Sequence, residues 1–387
     1  MRVRQARGRV RVARCPRWAS ESERFVGSIA ENAGDFLSQS LSVAPVRYAV
    51  KAVLQTSVLV AALSALSLLG AADQPRPLRL GHFPNLTHAQ AVYARAGGQF
   101  DRKIGRAVEW TSFNAGPTAI EALFTDAIDV AFVGPNPTIN GFLRTRGEKF
   151  VVIAGGASGG TGLVVRSGAG IRSEADFDGK IIATPQLGNT QDVAARLWFA
   201  EHGYRLKEKG GSLTLVALSN PDQLTLFRRG EIHGAWTVEP WVARLELEGG
   251  GELFLDERTL WPEGRYVTTH LVANRVFLRE HPQLIRDLLA ALIEVTQEIN
   301  GDKNAAARIL NAELKRETGK ALPEAVVKRA LQRIEFTWDP ISASLRKCGE
   351  AAYRVGFLRS QPRLAGLYSL DALNDVLHAK GLPPVAD

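Results

Sequence analysis

Short apolar runs bounded by Gly, Pro, Asn and Asp recur along residues 78–275, and segments of helical periodicity separate them. The runs Leu78–Phe83, Val108–Phe113, Ile128–Val133, Val151–Gly155 and Leu163–Arg166 read as strands, and so do Lys180–Thr184, Leu213–Leu218, Ile232–Thr237, Glu252–Leu255 and Tyr266–Ala273. From Pro282 to about Lys380 the pattern is mostly helical. Strands alternating with helices predict an α/β fold with largely parallel sheets.

One unit of this pattern occurs twice. Asn114-Ala115-Gly116-Pro117 opens a helix carrying Ile120, Leu123 and Phe124; the strand Ile128–Val133 and Gly134-Pro135 follow. Asn220-Pro221-Asp222 opens a second helix carrying Leu224, Leu226 and Phe227; Gly230 ends it, and Ile232–Thr237 leads to Glu239-Pro240. A polar cap with a proline in the first turn sets a helix start at the carboxyl end of the preceding strand. That edge of an open α/β sheet is where ligands bind. Gly188-Asn189-Thr190-Gln191-Asp192 opens another such helix.

Composition and charge narrow the classes. The 387 residues, 45% hydrophobic and 23% charged, are enough for two α/β lobes with separate cores. A net charge of +8 suggests nucleic acid or an anionic surface. However, residues 1–72 hold ten Lys/Arg against four Asp/Glu, which leaves 38 basic and 36 acidic groups beyond them, a nearly neutral remainder that does not call for nucleic acid. Of the two cysteines, Cys15 and Cys348, only Cys348 lies beyond residue 72, so neither a disulfide nor a zinc ribbon is expected.

Arg47 and Lys51 precede an apolar stretch, Ala52–Leu69, and Gly70-Ala71-Ala72 ends it. A basic flank, an apolar stretch and small residues compose a secretory signal peptide, with cleavage after Ala72; the alternative is an uncleaved anchor. The signal peptide covers 46–72, and residues 1–45 form a basic extension. Because Met1 is the only methionine, a start nearer the signal uses another codon, at Val43 or Val46, and the extension reads as a mis-called start. Peptides from residues 2–40 in the native protein would refute that reading.

Catalytic motifs are sparse. Gly156-Ala157-Ser158-Gly159-Gly160 matches G-x-S-x-G, but the apolar runs on both sides read as strands, so a nucleophile elbow is not expected and a glycine-rich interstrand loop is. No Walker loop, G-x-G-x-x-G after a strand, or H-E-x-x-H occurs. His82 and His88 would need a distant third ligand such as His270 to hold a metal, and no metal or cofactor is expected. What remains is glycine-flanked polar loops at helix starts, whose free N–H groups and positive dipole ends capture anions without a lysine. Trp236, Trp241 and Phe83 are candidates for an apolar wall.

With those loops identified, the chain resembles the substrate-binding proteins of the nitrate, sulfonate and taurine class of ABC importers. The resemblance runs from Leu78 to Pro282. It rests on Gly81-His82-Phe83-Pro84-Asn85-Leu86-Thr87-His88-Ala89, Phe113-Asn114-Ala115-Gly116-Pro117, Gly134-Pro135-Asn136-Pro137, Pro185-Gln186-Leu187-Gly188-Asn189-Thr190 and Gly234-Ala235-Trp236 with Glu239-Pro240-Trp241.

The resemblance implies a type II periplasmic-binding fold, two α/β lobes joined by a two-crossing hinge. Lobe one would be 77–162 with 271–387, and lobe two 163–270. It implies ligand contacts from Asn85, Thr87, His88, Asn114, Gly116, Asn136, Ser158 and Thr161, and from Gly188, Asn189, Thr190 and Glu239. Trp236 and His270 complete the candidate set. The chain departs from the many sulfonate binders whose first loop is rich in Gln or Ser; here it reads Pro84-Asn85-Leu86-Thr87-His88.

The expected function is capture of a small anionic solute, an aliphatic sulfonate in first place, by a monomer in the periplasm that delivers it to an inner-membrane permease. Taurine, nitrate or a thiamine-pyrimidine precursor are the alternative solutes. Glu239 would favour a zwitterion if it faced the cleft, and capping its own helix is its other role. A pyrimidine-synthesis enzyme on the same fold is the alternative class, and it would use the histidines.

Overall fold

A computed structural model describes residues 76–387, within a compact unit running from Pro75 to Asp387. The basic extension, the signal segment and its cleavage site lie outside the described residues.

The chain first lays down β1 (Leu78–His82), α1 (Ala89–Gly97), α2 (Gln99–Ile104), β2 (Val108–Ser112), α3 (Gly116–Phe124), β3 (Val130–Val133), α4 (Pro135–Arg144) and β4 (Phe150–Gly159). It then builds β5 (Thr161–Arg166), β6 (Ile181–Thr184), α5 (Thr190–Glu201), β7 (Thr214–Ala217), α6 (Asn220–Arg229), β8 (Gly234–Val238), α7 (Trp241–Leu247) and β9 (Gly251–Asp256). It returns through β10 (Val267–Asn274), α8 (Arg275–Glu280), α9 (Pro282–Gly301), α10 (Lys303–Thr318), α11 (Glu324–Gln332), β11 (Ile334–Phe336), α12 (Ser342–Arg354) and α13 (Asp371–Ala379).

Two sheets result, ordered β11-β4-β10-β3-β1-β2 and β7-β6-β8-β5-β9. Both are mixed, not largely parallel. Strands joined through helices, β1 with β2 and β3, and β6 with β7 and β8, pair in parallel. The strands that carry the chain between sheets, β4, β5 and β10, pair antiparallel to their neighbours. They need no helical crossover, and a parallel pairing does.

The central strands of each sheet are covered on both faces, which is why they read as nearly unbroken apolar runs, whereas the edge strands β2, β7 and β9 are only partly buried. Along β3, Val130 and Phe132 join one core and Ala131 and Val133 the other. Along β5, Leu163 and Val165 face one core of the second lobe and Val164 the other. Side chains on a strand alternate between faces, so one strand serves two cores.

The lobes meet where β4 runs into β5. Gly159 and Gly160 both take φ of +75°, and a Cβ on Gly159 would stand 2.5 Å from the Arg333 carbonyl oxygen. Only glycine fits that crossing without strain. The G-x-S-x-G stretch is thus the end of a strand and a hinge turn, with the Ser158 hydroxyl accepting from Tyr266 N–H at 3.2 Å. Thr161 and Gly162 already pair within the second sheet, and Val267–His270 within the first, so the crossings sit a few residues from the boundaries expected at 162 and 270.

Candidate functional site

Four helices begin at the gap between the two sheets. In lobe one, β2 leads to α3 and β3 to α4; in lobe two, β6 leads to α5 and β7 to α6. Proline within the first two positions of α3, α4 and α6 sets the first turn. The cap residues of α3 and α4 are Ala115 and Gly134, which have no side-chain acceptor, and Ser219 makes no cap bond to α6. Only α5 is capped from a side chain, by Asn189 Oδ1 accepting from Asp192 N–H at 2.9 Å. The first N–H groups of the other three lack an intrahelical partner.

These starts line a cavity of about 30 Å³ with the turn that holds Asn85, Thr87 and His88. Asn114, Gly116, Asn189, Thr190 and Asn220 border it, as do Thr268 and Thr269. Among the described residues no Lys, Arg, Asp or Glu lines it. Thr269 Oγ1 is buried there without a partner, a group with hydrogen-bonding capacity to spare. The lobes approach closely: a Cβ on Gly134 would lie 2.7 Å from Thr190 Oγ1.

His88 is the one titratable group in the wall. Phe83 N–H donates to its Nδ1 at 3.3 Å, which leaves the ring proton on Nε2. Burial, and secondarily the charge of His82, hold its pKa well below the ordinary imidazole range. The ring is therefore neutral at pH 7 and a donor. Neutral donors and helix dipole ends stabilise negative charge, and with no carboxylate in the wall a cation finds no counter-charge there.

Residues 71–313, more than half of the chain, match the NMT1-like family. The chain belongs to that family. Over 210 residues it is 24% identical to the taurine-binding periplasmic protein of Escherichia coli K12, a match spanning 54% of this chain and 62% of the relative, so it aligns with less than two thirds of that protein. Its fold is that of the alkanesulfonate-binding protein SsuA from Xanthomonas axonopodis pv. citri, solved bound to MOPS, with a TM-score of 0.63, 22% identity and coverage of 77% and 100% of the two chains. The periplasmic nitrate-binding protein NrtA from Synechocystis PCC 6803 superposes with a TM-score of 0.68 at 17% identity, covering 79% of this chain and 89% of that one. The type II periplasmic-binding architecture expected from sequence is the fold of this NMT1-like chain.

All the cavity residues fall inside the family-matched segment. Of the candidates from sequence, Asn85, Thr87, His88, Asn114, Gly116, Asn189 and Thr190 come together in its wall. The others stand elsewhere. Trp236 is fully buried in a lobe-two core, its indole N–H donating to Glu257 at 2.8 Å. Thr161 bonds the same carboxylate at 2.7 Å and meets the Tyr266 hydroxyl. Asn136 donates to the Cys348 carbonyl at 2.9 Å, and Gly188 lies beside Phe357 with its N–H on Asp192. Ser158 serves the β10 backbone at the hinge.

His270 bonds Thr138 at 3.0 Å on the far side of β10 from the cavity, and burial lowers its pKa to about 3. Glu239 caps α7 through Ala243 N–H at 3.0 Å and pairs with Arg333 at 2.9 Å. Burial raises the Glu239 carboxyl to about 7 against the opposing pull of both partners. His82 pairs with Glu317 at 2.9 Å behind the site. Among the described residues no cluster of three His, Cys, Asp or Glu could hold a metal, and no helix is long and apolar enough to cross a membrane.

Sequence reasoning missed Val238, Thr268 and Thr269. Thr268 and Thr269 stand where the register of β10 against β4 shifts, so strict alternation along the strand could not have placed them.

Proposed function

We propose that this NMT1-like chain is the extracytoplasmic solute-binding component of an ABC importer, which encloses a small anionic solute, a sulfonate in first place, and delivers it to an inner-membrane permease. The observation that carries this reading is the convergence of four helix starts, two from each lobe, on a cavity walled by neutral donors. A solute held there touches both lobes only when they are together, so its binding stabilises the closed form that a permease can recognise. The names of the relatives, periplasmic binders of taurine, alkanesulfonate and nitrate, support the same class of solute.

Binding rather than catalysis is favoured by the wall's chemistry. Its single histidine is neutral with Nδ1 already engaged, and Ser158, the one residue in a nucleophile-like motif, is committed to the backbone at the hinge.

A thermal-shift screen of the full-length chain against alkanesulfonates, taurine, nitrate, sulfate, bicarbonate and pyrimidines tests the reading, because a solute that binds only the folded state raises the midpoint by mass action. A shift with oxyanions supports it. A shift with pyrimidines alone, or with none of them, contradicts it.

A further inference from the structure

Beside the polar cavity, and sharing Asn85, Asn114 and Asn220 with it, lies a second space of about 570 Å³. Its character is different. Trp241, Leu314, Leu322 and four prolines supply most of its walls, with Thr318 and Lys320 at one edge. Its one carboxylate, Glu248, is occupied by both nitrogens of Arg244 at 3.0 Å, and that guanidinium in turn stacks 4.5 Å over the Trp241 ring. Trp241 N–H reaches across to Asn85 Oδ1 at 3.3 Å, so a lobe-two residue and a lobe-one residue together mark the passage between the two spaces.

We infer, resting on the oxyanion reading above, that the physiological solute is an organic anion with a bulky apolar tail: the charged head sits among the helix starts and the tail fills the chamber walled by Trp241 and the α10–α11 turn. Three observations lead there. The head cavity of about 30 Å³ takes a compact charged group and no more, while the adjoining chamber is many times larger. A bare oxyanion would leave those apolar walls in contact with water, and a hydrocarbon tail would remove them from it. A zwitterion carrying an ammonium group would find no free carboxylate, since Glu248 is paired with Arg244 and Glu239 with Arg333.

The chamber also has a distinctive origin. Leu314, Ala321 and Leu322 lie beyond residue 313, where the family match ends, whereas every residue of the head cavity lies within it. Head recognition therefore belongs to the family-matched part of the chain, and tail recognition is divided between that part, through Trp241, Pro221 and Pro240, and the segment beyond it. Helix α10 and the turn after it act as the specificity element.

The test is calorimetric titration of the full-length chain with methanesulfonate, taurine, hexanesulfonate and benzenesulfonate. The tailed sulfonates are expected to bind at least about tenfold more tightly than methanesulfonate, since burying a hydrocarbon group of this size is worth more than one decade of affinity, and taurine no more tightly than methanesulfonate. Trp241→Ala, and Ala321→Trp at an exposed position where folding is not at risk, should each collapse the ratio of tailed to untailed affinity towards one. Equal affinities for all four, or a preference for taurine, overturn the tail assignment and leave the oxyanion site standing. Failure of every sulfonate to bind overturns both.

Discussion

On the lobe-two wall of the cleft, Asn189 caps α5, and Asp192 gathers Thr184, Gly188 N–H and Arg196 into a network that is complete without a solute. On the lobe-one wall, α3 and α4 begin on Ala115 and Gly134, which give their first N–H groups nothing to bond. Both walls present helix starts to the same space, yet α5 on lobe two is capped from a side chain while α3 and α4 on lobe one, and α6 on lobe two, are not. A satisfied helix start is a rigid frame, whereas an open one keeps its donors for a ligand. Anion affinity should therefore reside mainly at the uncapped starts, two of the three on lobe one, and the stability of the wall mainly at the capped α5.

The strongest way to break this contrast is to close the open side. Ala115→Asp places a carboxylate at the cap of α3, where it satisfies the helix and repels the solute. Anion affinity should fall by about 3 kcal/mol, the upper range for a charged hydrogen bond, with the thermal midpoint of the free protein unchanged or raised. Unchanged affinity by calorimetry would mean that lobe one does not supply the donors.

The next effect concerns the buried histidines. His88 and His270 both have pKa values lowered in the folded protein, so the unfolded chain takes up protons first as pH falls. Their contribution to stability is whole above the unfolded value of about 6.5 and is lost progressively as pH drops from there towards the folded values. Each can account for a slope of up to about 1.4 kcal/mol per pH unit. Denaturant unfolding at pH values from 7.5 to 5 should show the fall, and His88→Gln should flatten it; an unaltered slope in the variant would assign it elsewhere.

Asn189→Ala removes the one side-chain cap among the four helices that start at the cleft and should cost about 1 kcal/mol of stability, read as a lower midpoint, with less effect on anion affinity than Ala115→Asp. The smallest effect is expected from Arg354→Ala, which breaks an exposed pair between α12 and Glu201 on α5. Such pairs are worth about 0–1 kcal/mol, so a larger loss in the same melt would show that contacts outside the cleft hold the lobes together.

Much of this architecture was legible in the residues. The ten apolar runs correspond to β1–β10; the central ones are continuous because strands covered on both faces need apolar sequence at every position. The eleventh, Ile334–Phe336, escaped: three residues inside a helical region carry too little pattern, and its place is set by pairing with the glycine-rich end of β4. Strand direction was also hidden, since sequence does not reveal which strands carry the chain between lobes.

In the site, polar residues at helix starts were readable from local chemistry, and they meet in the cavity. Trp236, Thr161 and His270 stand on strands, where side-chain facing depends on register with neighbours that are distant in sequence. Their polar or aromatic character signalled a buried bond, to Glu257 or Thr138, rather than a place in the cleft. The apolar chamber was invisible because it joins Trp241 to Leu314 and Leu322, far along the chain.

The central claim is that neutral donors at helix starts select a negative charge. It is tested most directly by titrating the full-length chain with hexanesulfonate and with hexanesulfonamide, which match in tail and shape but differ in charge. The sulfonate is predicted to bind at one site per chain, with the sulfonamide about 100-fold weaker for want of the charge-assisted bonds; equal affinity for the two would contradict the account.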